Sequence, residues 1–466
     1  MNKITRALIV LAVGAVIWFL PVPEGIKPQG WQLLAIFVAT ILGFILQPLP
    51  IGAVAFLGIT FSVLSGTLKL GDALSGYSNT TIWLIVAAFL FAKGIIKSGL
   101  GRRIAFVLIR EFGSSSLKLA YTLAVTEMII APATPSNTAR GGGIMFPIVK
   151  SLSLAFGSEP GPTARRMGSY LMLMGHTANI SSAILFLTAS AVNPLVLLLG
   201  KQVLGVDISW GQWALAASVP GLLSLFLLPY LIYRMYPPEI KHTPQARGIA
   251  EEELKAMGPA TRYEKMVAVV FVGCLVLWST STWTGLAATT VAMIGVSAML
   301  ITKVLDWQDV LEEKASWDVL IWMGAVVCMA GFLSTFGVVG TFANAVKGAI
   351  GHLDWRIAFF FVILVYCYSQ YFFASGTARV TAMFSAFASV LVALGAPPMY
   401  VVMMFGLVGG VGCTLTHYGS AVTPIYFNAG YVDQGTWWRL GFIISLVNLF
   451  LALGIGTVWL SFLGYL

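Results

Sequence analysis

The chain has 466 residues, 58% of them hydrophobic and only 10% charged, where a soluble globular chain carries roughly 25% charged residues. So few charges cannot cover a water-facing surface of this size, which excludes a soluble enzyme and defines a polytopic protein whose solvent is the lipid bilayer. Lys and Arg number 27 against 18 Asp and Glu; no basic stripe with interleaved aromatics accompanies the excess, so it points to cytoplasmic loops and not to nucleic acid.

Apolar windows of about 20 residues mark spanning helices. They fall at 6–20, 30–47, 50–67, 80–97, 165–200, 210–233, 264–280, 284–302, 317–337, 398–428 and 436–463, eleven in all. Lys3 and Arg6 before the first window resemble a signal peptide, but no small-residue cleavage site precedes Pro21-Val22-Pro23, so a retained first helix is expected. Two further apolar stretches, 117–157 and 356–395, are interrupted at mid-length. The first breaks at Pro132 to Gly143, the second at Ala374-Ser375-Gly376-Thr377-Ala378-Arg379. Each half is short for a crossing, so both stretches predict re-entrant hairpins. The polar segment 237–263, with its Glu251-Glu252-Glu253 run, predicts a cytoplasmic linker. The chain then divides into a lead-in (1–29), a first repeat (30–236), the linker, and a second repeat (264–466).

With the N-terminus inside, 20 of the 27 cations fall on the cytoplasmic side and 5 outside, which predicts a cytoplasmic N-terminus and an outer C-terminus in the cell's inner membrane. The two left over are Arg140 and Arg379, one at each hairpin tip. They differ by 239 in number, as do Trp83 and Trp322, Ser136 and Ser375, and Thr138 and Thr377. Ser190-Ala191-Val192-Asn193-Pro194 answers Ser420-Ala421-Val422-Thr423-Pro424 at an offset of 230. An odd number of spans separates the equivalents, so the second half inserts upside down. Paired broken helices in inverted repeats are the pattern of a secondary transporter, with the site at the breaks.

At each tip one helix ends and another begins, so free N–H groups and a positive dipole end favour a carboxylate. Ser136, Asn137, Thr138, Ser375 and Thr377 add short donors and acceptors. An arginine at bilayer depth is costly and needs a partner or a function. Glu127 is a candidate partner for Arg140, whereas the equivalent of Glu127 beside Arg379 is Tyr366. Two fixed positive charges near one cavity suit a dianion. His417, three residues before Ser420, is a further candidate for positive charge, and His176 is read as an interior residue. His242 and His352 complete the histidines; no metal-ligand spacing links the four, and the four cysteines form no CxxC pair.

Pro135-Ser136-Asn137-Thr138-Ala139-Arg140 resembles the Ser-Asn-Thr signature of the divalent anion/sodium symporter family. The stretch Pro135 to Pro147, with Asn179-Ile180-Ser181-Ser182 and Leu187-Thr188-Ala189, resembles its exchanger branch of 2-oxoglutarate/malate translocators. The resemblance implies an all-α fold of eleven transmembrane helices and two opposed hairpins, a homodimer, and an elevator mechanism. It implies small dicarboxylates as substrates, held by Asn137, Thr138 and Thr377, with Ser190 and Ser420 at the breaks and Ser136, Ala189 and Gly419 beside them. Ser375, Gly376 and Thr423 complete the candidate site. At Gly376 the symporter pattern has Asn, so sodium is not expected as a cofactor and electroneutral exchange is favoured, with Arg140, Arg379 and His417 supplying charge in its place. Sodium-coupled symport is the alternative. A cation/proton antiporter would need embedded acids beyond Glu127 and Asp318, and no nucleophile or metal motif supports an intramembrane enzyme.

Overall fold

In the computed structural model, residues 2–350 and 353–466 are described, so His352 lies outside the described residues. The described residues are helical throughout, and their one β contact is an isolated bridge between Ser115 and His242. Several helix starts coincide with short polar side chains that satisfy otherwise orphaned N–H groups. Asn79 opens the Thr80–Ser98 helix by accepting from Thr81 N at 2.9 Å, and Ser209 and Thr261 form reciprocal boxes with Gln212 and Glu264.

Among the described residues, seven helices are long and apolar enough to cross a membrane: Pro28–Leu46, Thr80–Ser98, Trp210–Met235, Lys314–Thr335, Trp355–Phe372, Gly376–Ala393 and Gln434–Phe462. Several expected windows are shorter helices, such as Ile51–Leu64 and Ala288–Ile301, or are broken. The arms Trp355–Phe372 and Gly376–Ala393 correct one expectation, because each is 18 residues long and apolar enough to span. The first stretch does have short arms, Ser116–Ile130 and Phe146–Ala155, separated by an irregular tip and a wide π-helical turn, Thr138–Met145.

The centre of the molecule is the Gly168–Leu185 helix, whose 18 residues are all buried. Its sequence is mostly apolar or small, as a helix enclosed on every side must be, and its larger polar residues His176 and Asn179 are both hydrogen-bonded. It ends before Phe186, and after the short turn Leu187–Ala189 and extended Ser190 the chain resumes as Val192–Leu204. Pro398–Gly409, similarly enclosed, occupies the matching place in the second half. There the interruption is longer than expected, with a turn at Val411–Thr414 and only a five-residue helix, Thr423–Phe427, beyond it.

Two helices outside the apolar windows clasp one end of the bundle. Leu100–Phe112 buries Ala105, Phe106 and Ile109 and turns Arg102, Arg103 and Arg110 away from them. Against it lies Gln245–Met257, within the linker, burying Ala246 and Ala250. Arg103 bonds Glu264 through Nε at 2.6 Å and Nη2 at 3.1 Å, and reaches Gly258 O at 3.0 Å. The linker is also tied by its backbone, with Glu239 N and Ile240 N donating to Arg165 O and Arg166 O, and Ser116 N to Lys241 O. It is a docked strap, not a solvated loop.

Because the Arg103 pair is bidentate and largely buried, Arg103→Gln should lower stability by about 1.5–3 kcal/mol. Arg102→Gln, which removes an exposed pair with Glu253, should change it by less than about 0.5 kcal/mol. Thermal melts of the purified protein measure both; equal losses would contradict the ranking.

Candidate functional site

The first tip is built around Arg140, which is fully buried. Its Nε donates to Glu127 Oε2 at 2.5 Å, Nη1 to Thr134 O at 2.7 Å and Ala189 O at 2.9 Å, and Nη2 to Asn179 O and Ser182 Oγ, both at 3.2 Å. Five donors meet five protein acceptors, so the guanidinium is spent on the fold. It ties the tip to the preceding hairpin arm, to the first break and to the helix that leads into it. Asn179 Nδ2 extends the network, reaching Glu127 Oε1 at 3.2 Å and Asn137 O at 3.3 Å. Ser136 Oγ caps the following turn by accepting from Ala139 N at 3.1 Å.

The second tip repeats this plan with one substitution. Ser375 Oγ accepts from Ala378 N at 3.4 Å, and Arg379 is fully buried. Its Nη1 donates to Tyr366 O at 3.0 Å and Cys367 O at 3.1 Å, and its Nη2 to Gly409 O at 2.5 Å. Gly409 stands 230 residues after Asn179, so both arginines reach the same place on their broken helices. Where Glu127 faces Arg140, the Tyr366 ring lies under Arg379, with Cζ 4.4 Å from its centroid. The charge here is met by a π face and by carbonyls at the C-terminal ends of Trp355–Tyr368 and Pro398–Gly409. No carboxylate is required.

The two tips and two breaks meet crosswise. Tyr426 Oη donates to Gly141 O at 3.0 Å, and a methyl on Gly141 would stand 2.8 Å from Val422 Cγ2, so the first tip packs on the second break. A methyl on Gly376 would stand 3.4 Å from Val192 Cγ2, so the second tip packs on the first. Val192 and Val422 are equivalents at the 230 offset. Each tip also holds its own break, through Arg140 and Thr188 Oγ1 (donating to Pro132 O at 2.6 Å) in one half and Gln370 Nε2 (donating to Gly419 O at 2.9 Å) in the other. Ser136, Asn137, Thr138, Ser375, Thr377 and Ser420 are all half-buried in this junction, and Ser190 is 8% exposed. Gly376 and Thr423 are buried within it.

His417 departs from its expected role. Its Nδ1 accepts from Trp438 Nε1 at 3.1 Å, and the ring sits 4.6 Å from the Phe427 ring. A nitrogen accepting a hydrogen bond carries no proton, so in this arrangement His417 supplies no positive charge. Likewise, neither arginine is free to point its charge into the junction: Arg140 has no spare donor, and Arg379 is held by three carbonyls. Glu127, the candidate partner of Arg140 in the sequence, is its partner in the structure. Asn179, Ser182, Gln370 and His176 were missed as network members, although Asn179 and Ser182 lie inside the Asn179-Ile180-Ser181-Ser182 motif. Gln370 had a detectable signal, being an amide within an otherwise apolar hairpin arm.

Buried apolar helices, two of them interrupted and two joined through irregular tips, with all four irregular points meeting around small hydroxyls, define a membrane transporter. The family described as sodium:sulfate symporter transmembrane region matches residues 1–466. The chain belongs to this divalent anion/sodium symporter family. Its relatives include YflS of Bacillus subtilis (strain 168), whose name carries a provisional malate-transporter assignment, 48% identical over 99% of this chain and 97% of that protein. Dicarboxylate transporter 1 of the Arabidopsis thaliana chloroplast is 45% identical over 97% of this chain and 82% of its own length. The Alcanivorax borkumensis YdaH transporter has a similar fold, with a TM-score of 0.59 at 14% identity, over 99% of this chain and 98% of that one.

Glu127→Gln leaves Arg140 buried without a counter-charge and should lower stability by about 3–5 kcal/mol. Tyr366→Phe keeps the ring and removes an Oη that has no partner, so it should change stability by less than about 0.5 kcal/mol. Melting of the two purified variants decides; a benign Glu127→Gln would refute the paired-network description. A second contrast lies two residues apart. Gly141→Ala meets the Asn179 amide and Val422 at 2.8 Å, whereas nothing lies within 4 Å of a methyl at Gly143. The first should lose about 1–3 kcal/mol and the second almost nothing, read by the same melts.

Proposed function

We propose that the protein exchanges C4–C5 dicarboxylates, of the 2-oxoglutarate, malate or succinate type, across the bacterial inner membrane. The observation that carries this reading is the crosswise junction: two helix starts capped by Ser136 and Ser375, each backed by a buried arginine bonded to backbone carbonyls, facing two breaks that carry Ser190 and Ser420. A ligand with a carboxylate at each end matches a site built twice. The names of the chloroplast relatives point to the same substrate class.

In this reading Asn137, Thr138 and Thr377 contact substrate with the two serines of the breaks. Arg140 and Arg379 act as positioning residues: they hold the tips' N–H groups toward the junction and add field, without touching the ligand. The two halves are inverted repeats, the chain crosses the membrane eleven times, and the N-terminus is cytoplasmic. The tips and breaks move together as one transported unit of an elevator within a homodimer. Glu127 is engaged by Arg140 and so is not free to carry the proton of a cation/proton antiporter. No catalytic role is assigned.

Sodium independence is the finer part of the proposal, supported by Gly376 at the place of an amide ligand. Sodium-coupled symport is the second reading, and one observation favours it: at the first tip Asn137 Oδ1 and Asn179 Oδ1 are buried without donors. Amide oxygens left without donors suit a hard cation.

Uptake of labelled 2-oxoglutarate, malate and succinate into proteoliposomes distinguishes the two. Exchange predicts uptake only into vesicles preloaded with dicarboxylate, at rates within about two-fold with and without a sodium gradient. Uptake into empty vesicles driven by sodium would replace exchange with symport.

A further inference from the structure

The two breaks differ in one respect that the repeat does not explain. In the first, Asn193 spends its amide on Ala183 O at 2.7 Å and Phe186 O at 2.8 Å, so it stabilises the broken backbone. Its equivalent in the second break is Thr423, whose Oγ1 lies 2.7 Å from Ser420 Oγ and 2.9 Å from His176 Nε2. The three groups form a hydrogen-bonded chain. It runs from a buried imidazole on the central helix, across Thr423, to a serine half-exposed at the junction.

A chain of two hydroxyls has a direction, and its inner end sets it. Each hydroxyl carries one proton. If His176 Nε2 accepts, Thr423 donates inward, Ser420 donates to Thr423, and Ser420 presents only lone pairs to the junction. If His176 Nε2 carries the proton, it donates to Thr423, Thr423 donates to Ser420, and the Ser420 proton is free to point outward. Only the second direction offers a donor to a carboxylate. Aromatic neighbours hold the imidazole in place for it. The ring centroid is 5.1 Å from that of Trp437 and 6.1 Å from that of Tyr426, which is itself tied to Gly141 O.

We propose that His176, in its Nε2–H tautomer, polarises the His176–Thr423–Ser420 chain so that Ser420 donates to one substrate carboxylate. His176 is thus a positioning residue for anion selectivity, acting through Thr423 without contacting the ligand. The inference rests on the dicarboxylate reading and adds to it the means by which the second break prefers an anion. It also separates the two ends of the site, since the first break has no such chain.

The test uses the full-length transporter in proteoliposomes, with wild type, His176→Leu, Thr423→Val and His176→Gln compared after size-exclusion and melting checks. The readouts are KM and kcat for exchange, and inhibition by a dicarboxylate relative to its monomethyl ester. His176→Leu and Thr423→Val should each raise KM about ten-fold or more, with kcat within about three-fold, as loss of one hydrogen bond to a charged group requires. In both, the preference for the diacid over its ester should shrink. His176→Gln, whose amide can donate along the same line, should recover KM to within about three-fold of wild type. The double variant should be no worse than either single one, because the chain acts as a unit. Near-wild-type KM in Thr423→Val, or a His176→Gln no better than His176→Leu, would overturn the proposal. Wild-type vesicles that exchange no dicarboxylate would instead overturn the functional reading, and this proposal with it.

Discussion

A guanidinium buried in apolar surroundings must find acceptors for its N–H groups inside the protein, and the two arginines at the tips find theirs at the places where helices are broken, Arg140 for all five and Arg379 for three, with its Nε left unpartnered. Breaking a helix strands carbonyls that would otherwise be bonded four residues on. Arg379 collects three of them, Tyr366 O, Cys367 O and Gly409 O; Arg140 collects Thr134 O and Ala189 O, adds Asn179 O and Ser182 Oγ, and takes a carboxylate from Glu127. The cation and the interruption thus stabilise each other: each would be costly alone at that depth. Tips held in this way present their N–H groups and hydroxyls in fixed positions, which a site for a small dianion requires.

The difference between the halves follows from where each arginine lands. Gly409 is the last residue of its helix, with a carbonyl free to accept, whereas Asn179 lies inside the Gly168–Leu185 helix. The second half therefore neutralises its charge with helix ends and the Tyr366 ring. The first needs Glu127. The glycines obey the same geometry. Gly141 lets the first tip close on Val422 and the Asn179 amide, and Gly412, at the place of Ser182, leaves room for the Arg379 guanidinium, since a methyl there would lie 2.5 Å from Nη1.

Much of this was legible in the sequence because its signals are local. Apolar windows, proline- and glycine-rich interruptions and the 239 and 230 offsets located the tips and breaks, and the sorting of cations isolated Arg140 and Arg379. What each arginine binds was not legible, since Ala189, Asn179 and Gly409 accept through backbone carbonyls that no side-chain pattern reveals. For His417 and His176 the expected order is reversed. His417 is adjacent in sequence to the break but is turned to Trp438, while His176 is remote in sequence and joins it through Thr423. The Leu100–Phe112 and Gln245–Met257 helices form no long apolar run, because each is apolar on one face only.

The central claim is that both tips and both breaks enclose one ligand. A structure of the protein with bound 2-oxoglutarate tests it most directly. A shared site predicts a single density between Thr138 and Thr377, with one carboxylate toward Ser190 and the other toward Ser420, and with Arg140 and Arg379 still bonded to their carbonyls. A ligand held by one tip alone, or one bonded directly to either guanidinium after it has left its protein acceptors, would contradict it.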